Sequence, residues 1–136
     1  MQISLVQLLK LQAGRLDNMH YGFLRIFKVI RFSYAGFKTL WRGEESFRHE
    51  VLLGVSALAI LIYLNAATTD IAIFIGLMFM LFSAEALNTG LERIADKIDS
   101  SINDFTKDVK DVGAVAVFFI ILMAVSWFVY VLLKFI

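Results

Sequence analysis

Three long apolar stretches, separated by short polar ones, dominate the second half of the chain. Residues 51–67 (VLLGVSALAILIYLNAA), 71–84 (IAIFIGLMFMLFSA) and 112–133 (VGAVAVFFIILMAVSWFVYVLL) contain no charged side chain. With their flanks, each approaches the ~20 residues a helix needs to cross the hydrocarbon core of a bilayer. The pattern predicts membrane spans over about 51–67, 71–92 and 112–133. Thr68, Thr69 and Asp70 are expected to turn the first span into the second. The second continues as a helix through Glu85 and Asn88 toward Asp96, and residues 97–111 form a polar connection.

Upstream the period changes. Over residues 21–42, Arg25, Lys28 and Arg31 recur at three-residue spacing, while Phe23, Ile26, Phe27 and Ile30 lie on the other side. This predicts an amphipathic helix on the membrane surface, too charged to cross it. Residues 3–16 read as a further short surface helix, and Asp17 and Asn18 suit a cap before the next. Residues 21–136 read as one membrane domain, preceded by residues 1–20. The expected fold class is an all-α membrane protein: an N-terminal amphipathic surface helix followed by three transmembrane helices.

Composition sharpens this picture. Of 136 residues, 60% are hydrophobic, above the ~45–50% usual in soluble domains. No proline interrupts a helix, and the lack of cysteine excludes disulfides, thiolate metal sites and cysteine nucleophiles. Residues 1–42 carry seven bases and one acid, while the remainder carries six bases and eleven acids. A basic amphipathic segment ahead of apolar spans suits an anionic membrane surface or phosphates. Nucleic acid is not expected, because no nucleic-acid motif accompanies the charge. The first residues do not read as a cleavable signal, since Lys10, Arg15 and Asp17 break the apolar stretch.

Orientation follows from the bases. Arg93, Lys97, Lys107 and Lys110 lie between spans two and three, whereas the connection between spans one and two has none. The positive-inside rule then puts the N-terminus and the 93–111 connection in the cytoplasm and the C-terminus outside. Ala72 with Gly76, Ala86 with Gly90, and Gly113, Ala114 and Ala116 have the small-residue spacing that permits close helix approach in lipid.

The chemically informative segment is 84–96, AEALNTGLERIAD. At 100° per residue, Asn88, Glu92 and Asp96 fall within about 60° of Glu85, so three carboxylates and a carboxamide share one stripe. Glu85 follows fourteen uncharged residues and lies near the inner membrane surface. Ionisable residues at that depth are costly and mark functional sites. Stacked like charges repel, and a cation among them would relieve this. Oxygen ligands suit Mg²⁺, which takes one or two carboxylates plus substrate phosphates. The alternative is a solvated helix end. A second acidic cluster, Gly43 to Glu50, precedes span one on the same side. Lys110 at the head of span three could neutralise phosphate oxygens. His20 and His49 have no partners for a zinc site or a triad, and neither a phosphate-binding P-loop nor a soluble protein-kinase signature is present.

From about Gly22 onward, these features in this order resemble the prokaryotic diacylglycerol kinase family, which includes the undecaprenol kinases. The motifs that carry the resemblance are WRGEESFRHE at 41–50, EALNTGLERIAD at 85–96 and KDVG at 110–113. The resemblance implies a homotrimeric bundle in the bacterial inner membrane, with active sites at its cytoplasmic surface between subunits. It implies transfer of the ATP γ-phosphate to a lipid hydroxyl, of diacylglycerol or else of undecaprenol. Glu85 matches the family's general base and Asn88 its active-site asparagine. Glu44 and Glu92 match metal ligands that also approach the nucleotide. Arg25, Lys110 and Asp111 match nucleotide-contacting residues, with Lys28, Arg48 and Asp96 as secondary candidates. The chain departs from the family pattern at Ser101 and Asn103, where an acid and a histidine are common, and at Phe32, where some members have tyrosine. Those changes bear on nucleotide preference. Readings as a cation-conducting subunit or an assembly protein account less well for acids gathered at one membrane edge.

Overall fold

The computed structural model of the chain describes residues 25–99 and 103–136. The expectations for residues 1–20, for Phe23 and for Ser101 lie outside the described residues. The described chain falls into two units that divide between Thr39 and Leu40. In the first, residues 25–39 are helical and exposed, with Arg25, Lys28 and Phe32 among them. Helical backbone extends over 25–43 (α1), and three further helices follow: α2 (Glu45–Tyr63), α3 (Thr68–Ile98) and α4 (Asp104–Leu133). All three are long and apolar enough to cross a membrane. The all-helical membrane fold is therefore the one the hydropathy pattern predicts.

The helix limits differ from the expected ones. The first reversal falls at Leu64–Ala67, and Thr68–Asp70 form the first turn of α3. The cause is a paired C-terminal cap. Asn65 adopts a left-handed conformation (φ 54°), which asparagine tolerates better than most residues. Its N–H donates to the Ile62 carbonyl, and the Ala66 N–H donates to that of Leu61, both at 3.0 Å. These two bonds satisfy carbonyls that α2 would otherwise leave open. The polar connection is also shorter than 97–111, because α3 runs to Ile98 and α4 starts at Asp104. Asn103 Oδ1 accepts the Thr106 N–H at 2.9 Å, while Thr106 Oγ1 accepts the Asn103 N–H at 3.4 Å. This reciprocal capping box starts the helix among charged residues.

Helices α3 and α4 pack along their length, with α2 lying mainly against α3. At the end near the α2–α3 turn, Leu61, Ala66, Phe74 and Val131 form a buried cluster. At the other end, Phe47 is fully buried and meets Phe82 edge-on at 5.5 Å. Glycine sets two close approaches. Met78 lies where a Cβ at Gly54 would be, and the Asn88 side chain lies where one at Gly113 would be. By contrast, Gly76 and Gly90 have open space beside them, and Ala72 and Ala86 are exposed. These two small-residue pairs therefore face away from the chain's own helices.

Candidate functional site

The buried stripe of α3 runs Asp70, Phe74, Leu77, Leu81, Glu85, Asn88. Its period is that of one helical face, so the face that is apolar from Phe74 to Leu81 turns polar one turn later without leaving the interior. Glu85 is 5% exposed and Asn88 9%. A carboxylate and a carboxamide thus occupy core positions, a costly arrangement unless their hydrogen bonds are made. Glu85 Oε1 accepts a hydrogen bond from Ser46 Oγ at 2.6 Å, across the α2–α3 interface. Asn88 Nδ2 donates to Glu92 Oε1 at 2.9 Å, one turn further along α3. Asn88 Oδ1 is buried without a partner, in the space left by the missing side chain of Gly113.

Around this centre, Glu44 Oε1 pairs with Arg93 Nη2 at 2.8 Å. Lys110 Nζ, on the second turn of α4, pairs with the Asp96 carboxylate. Glu85, Asn88, Glu92 and Asp96 on α3 are therefore met by Ser46 from α2 and by Lys110 and Gly113 from α4. Glu44, just before α2, joins through Arg93. Asp111 is exposed. Arg48 donates to the Trp41 carbonyl at 3.1 Å and so bridges the break between α1 and α2. Arg25 and Lys28 belong to the first unit.

Three residues outside the expected set belong to this neighbourhood. Ser46 holds Glu85, and Arg93 holds Glu44. Glu50 Oε2 is buried without a hydrogen-bond partner. Glu50 also borders an otherwise apolar cleft of about 170 Å³ lined by Gly54, Phe74, Met78, Leu81 and Phe128. The sequence does hold a signal for the α2 pair: Ser46 and Glu50 are four apart and share one helix face. Nothing in the sequence separates Arg93 from an ordinary membrane-flanking base.

The profile of the prokaryotic diacylglycerol kinase family matches residues 31–132, which include every element of this cluster. The chain belongs to this family. It is 30% identical to the diacylglycerol kinase of Escherichia coli strain K12 over 111 residues, covering 81% of this chain and 91% of that protein. The diacylglycerol kinase of Pseudomonas aeruginosa is 30% identical over 107 residues, with 78% and 87% covered. That of Haemophilus influenzae is 25% identical over 97 residues, with 71% and 82% covered.

Membership of a kinase family implies the use of ATP and raises the question of a divalent cation. Among the described residues, no three His, Cys, Asp or Glu side chains converge into a metal cage. Magnesium does not need one, because it commonly binds through one or two carboxylates together with substrate phosphates. The donors present are of the right kind. Glu44 and Glu92 offer hard oxygens, and Asn88 Oδ1 is a further buried oxygen without a partner. In the structure Glu44 and Glu92 each hold a different partner, Arg93 and Asn88.

Proposed function

We propose that this chain is a membrane lipid kinase that moves the γ-phosphate of ATP onto the primary hydroxyl of diacylglycerol, giving phosphatidic acid and ADP. The observation that carries the reading is the buried Glu85 of α3, held by Ser46. It lies one turn beyond an apolar stripe and is followed by Asn88 and Glu92. Family membership supplies the reaction class.

In this reading Glu85 accepts the alcohol proton. The alcohol oxygen forms a bond to the γ-phosphorus, and the bond from that phosphorus to the oxygen bridging to the β-phosphate breaks, releasing ADP. Phosphoryl transfer asks the protein mainly for positioning and charge neutralisation. Lys110 and Arg25 supply positive charge for the phosphates, with Lys28 and Arg48 as further bases, and Asp111 contacts the nucleotide. Asn88 orients the reacting groups through its carboxamide. Glu44 and Glu92 would hold a magnesium ion, which when bound neutralises phosphate charge. Asp96 keeps Lys110 in place until phosphate draws it away. The apolar cleft below Glu50 suits the hydrocarbon part of a lipid substrate.

The assembly is a homotrimer in the bacterial inner membrane, with the N-terminus and the α3–α4 connection in the cytoplasm and the C-terminus outside. The outward-facing pairs Ala72/Gly76 and Ala86/Gly90 support contact between copies, because small residues let helices approach in lipid. Residues 1–20 form an extension to the membrane domain of 21–136.

The test is ATP-dependent phosphate transfer by the purified protein in mixed micelles, with diacylglycerol and undecaprenol offered in parallel and Mg²⁺ present or withheld. Phosphatidic acid formed only with Mg²⁺ is the expected product. Undecaprenyl phosphate instead reassigns the lipid, and no product from either overturns the reading.

A further inference from the structure

Glu85 has two carboxylate oxygens, and their environments differ. Oε1 takes the Ser46 hydroxyl at 2.6 Å. That length is short for a hydroxyl donating to a carboxyl oxygen. The Ser46 hydroxyl donates and the carboxyl oxygen accepts. The serine is itself well anchored. It precedes Phe47, which is fully buried and packs edge-on against Phe82, one turn before Glu85 on α3. The start of α2 is therefore fixed over the part of α3 that carries the carboxylate.

We infer that Ser46 is a positioning residue for phosphoryl transfer: by holding Oε1 of Glu85, it fixes the carboxylate plane so that the other oxygen meets the lipid hydroxyl. This rests on the assignment of Glu85 as the proton acceptor. A glutamate has three side-chain torsions, and a base that must find its orientation at each turnover loses the advantage of a prearranged geometry. Alanine at position 46 would leave the Glu85 carboxylate buried but free to turn. The other neighbours do not replace the serine. Glu50 of α2 makes no hydrogen bond through its buried Oε2. Asn88 Nδ2 donates to Glu92, and Lys110 of α4 is paired with Asp96.

The experiment compares the full-length protein with Ser46→Ala, Ser46→Thr and Glu85→Gln in the mixed-micelle assay. Loss of one hydrogen bond to a charged group should lower the kcat of Ser46→Ala about tenfold. KM for ATP and for the lipid should both stay within about twofold, since an orienting contact acts on the transition state and not on ground-state binding. Threonine keeps the hydroxyl and should restore most of the rate. Adding Ser46→Ala to Glu85→Gln should cost nothing more, because the contact has no base left to orient. A mainly structural serine would give a further loss in that double variant and a loss in KM or in melting temperature, and this result overturns the inference. Wild-type kcat in Ser46→Ala beside an inactive Glu85→Gln also overturns it, leaving the base assignment standing. Wild-type turnover by Glu85→Gln removes the base assignment itself. If Ser46→Ala does not fold, Ser46→Cys, of similar size with a weak donor, is read by the same criteria.

Discussion

Both carboxylate oxygens of Asp70 accept hydrogen bonds from Lys134 Nζ, at 3.0 and 2.9 Å, tying the first turn of α3 to the residue just past α4. Trp127 Nε1 adds a bond to the Asp70 carbonyl at 3.1 Å, and the lysine ammonium lies 4.5 Å from the centre of the Tyr130 ring. Asp70 is buried. Removing its partner alone therefore leaves a carboxylate neither solvated nor neutralised, which costs more than removing the pair. Lys134→Met should lower the melting temperature in detergent, and Asp70→Asn together with Lys134→Met should recover part of that loss. Equal melting temperatures for the single and double variants would show the pair to be uncoupled.

The same pair gives a pH dependence. The hydrogen bond to Asp70 raises the Lys134 pKa above its ordinary 10.5. A pKa raised by folding stabilises the protein fully below the unfolded value, and the contribution fades as pH climbs through the folded one. The stability difference between wild type and Lys134→Met should stay constant from pH 7 to 9 and shrink only above about 10.5. Chemical denaturation across that range measures it, and a difference already shrinking at pH 8 contradicts the assignment.

Much of this architecture could be read from the sequence, and the failures have physical causes. Hydropathy alone located three crossing helices, because in lipid every backbone group must be bonded within its own segment. The stripe of Glu85, Asn88, Glu92 and Asp96 followed from helical period. Hydropathy misplaced the first reversal because Asn65 and Ala66 end α2 through backbone geometry and not through polarity. It overestimated the α3–α4 connection because Asn103 and Thr106 cap each other at short range. Ser46 stood in the acidic segment before span one without its partner being legible, and Arg93 was not legible as a site neighbour at all. Their partners, Glu85 and Glu44, are 39 and 49 residues away along the chain, a separation that only packing resolves. Asp70 looked like a turn residue because its lysine lies 64 positions downstream.

Two glycines make a matched prediction. A methyl group at Gly54 would meet only the flexible end of Met78, whereas one at Gly113 would meet the carboxamide of Asn88, which is tied to Glu92. Overpacking that a side chain can evade costs little, and overpacking against a fixed one costs about 1–3 kcal/mol. Gly54→Ala should retain most activity. Gly113→Ala should lose at least about tenfold in kcat, the equivalent of ~1.4 kcal/mol, because it displaces Asn88. Parallel turnover and melting measurements separate the two, and similar behaviour of both variants would refute the asymmetry.

Asn103 caps α4, the helix that carries Lys110 and Gly113 to the site. Replacing an asparagine cap by alanine usually costs ~1 kcal/mol. Asn103→Ala should therefore lower stability by about that amount, and Asn103→Asp should recover only part of it, because it keeps the acceptor but faces the Asp99 carboxylate to which Asn103 Nδ2 donates at 2.7 Å. If the position instead served nucleotide binding alone, KM for ATP would rise in Asn103→Ala with no change in melting temperature.

Arg93 and Glu44 set up a competition. Their side chains are 49% and 26% exposed, respectively, and exposed pairs of this kind contribute at most about 1 kcal/mol. Arg93→Ala should therefore leave the melting temperature nearly unchanged. Its effect should fall on the metal requirement. Arg93 occupies Oε1 of Glu44, the oxygen donor assigned above to magnesium, so cation and guanidinium compete for one carboxylate. Arg93→Ala should lower the Mg²⁺ concentration at half-maximal rate, while Glu44→Gln, which removes the ligand, should raise it by about tenfold or more. A titration of initial rate against Mg²⁺ at saturating ATP reads both. If Arg93→Ala raises the requirement instead, the guanidinium is orienting Glu44 for the metal, and the competition is falsified while the ligand assignment survives.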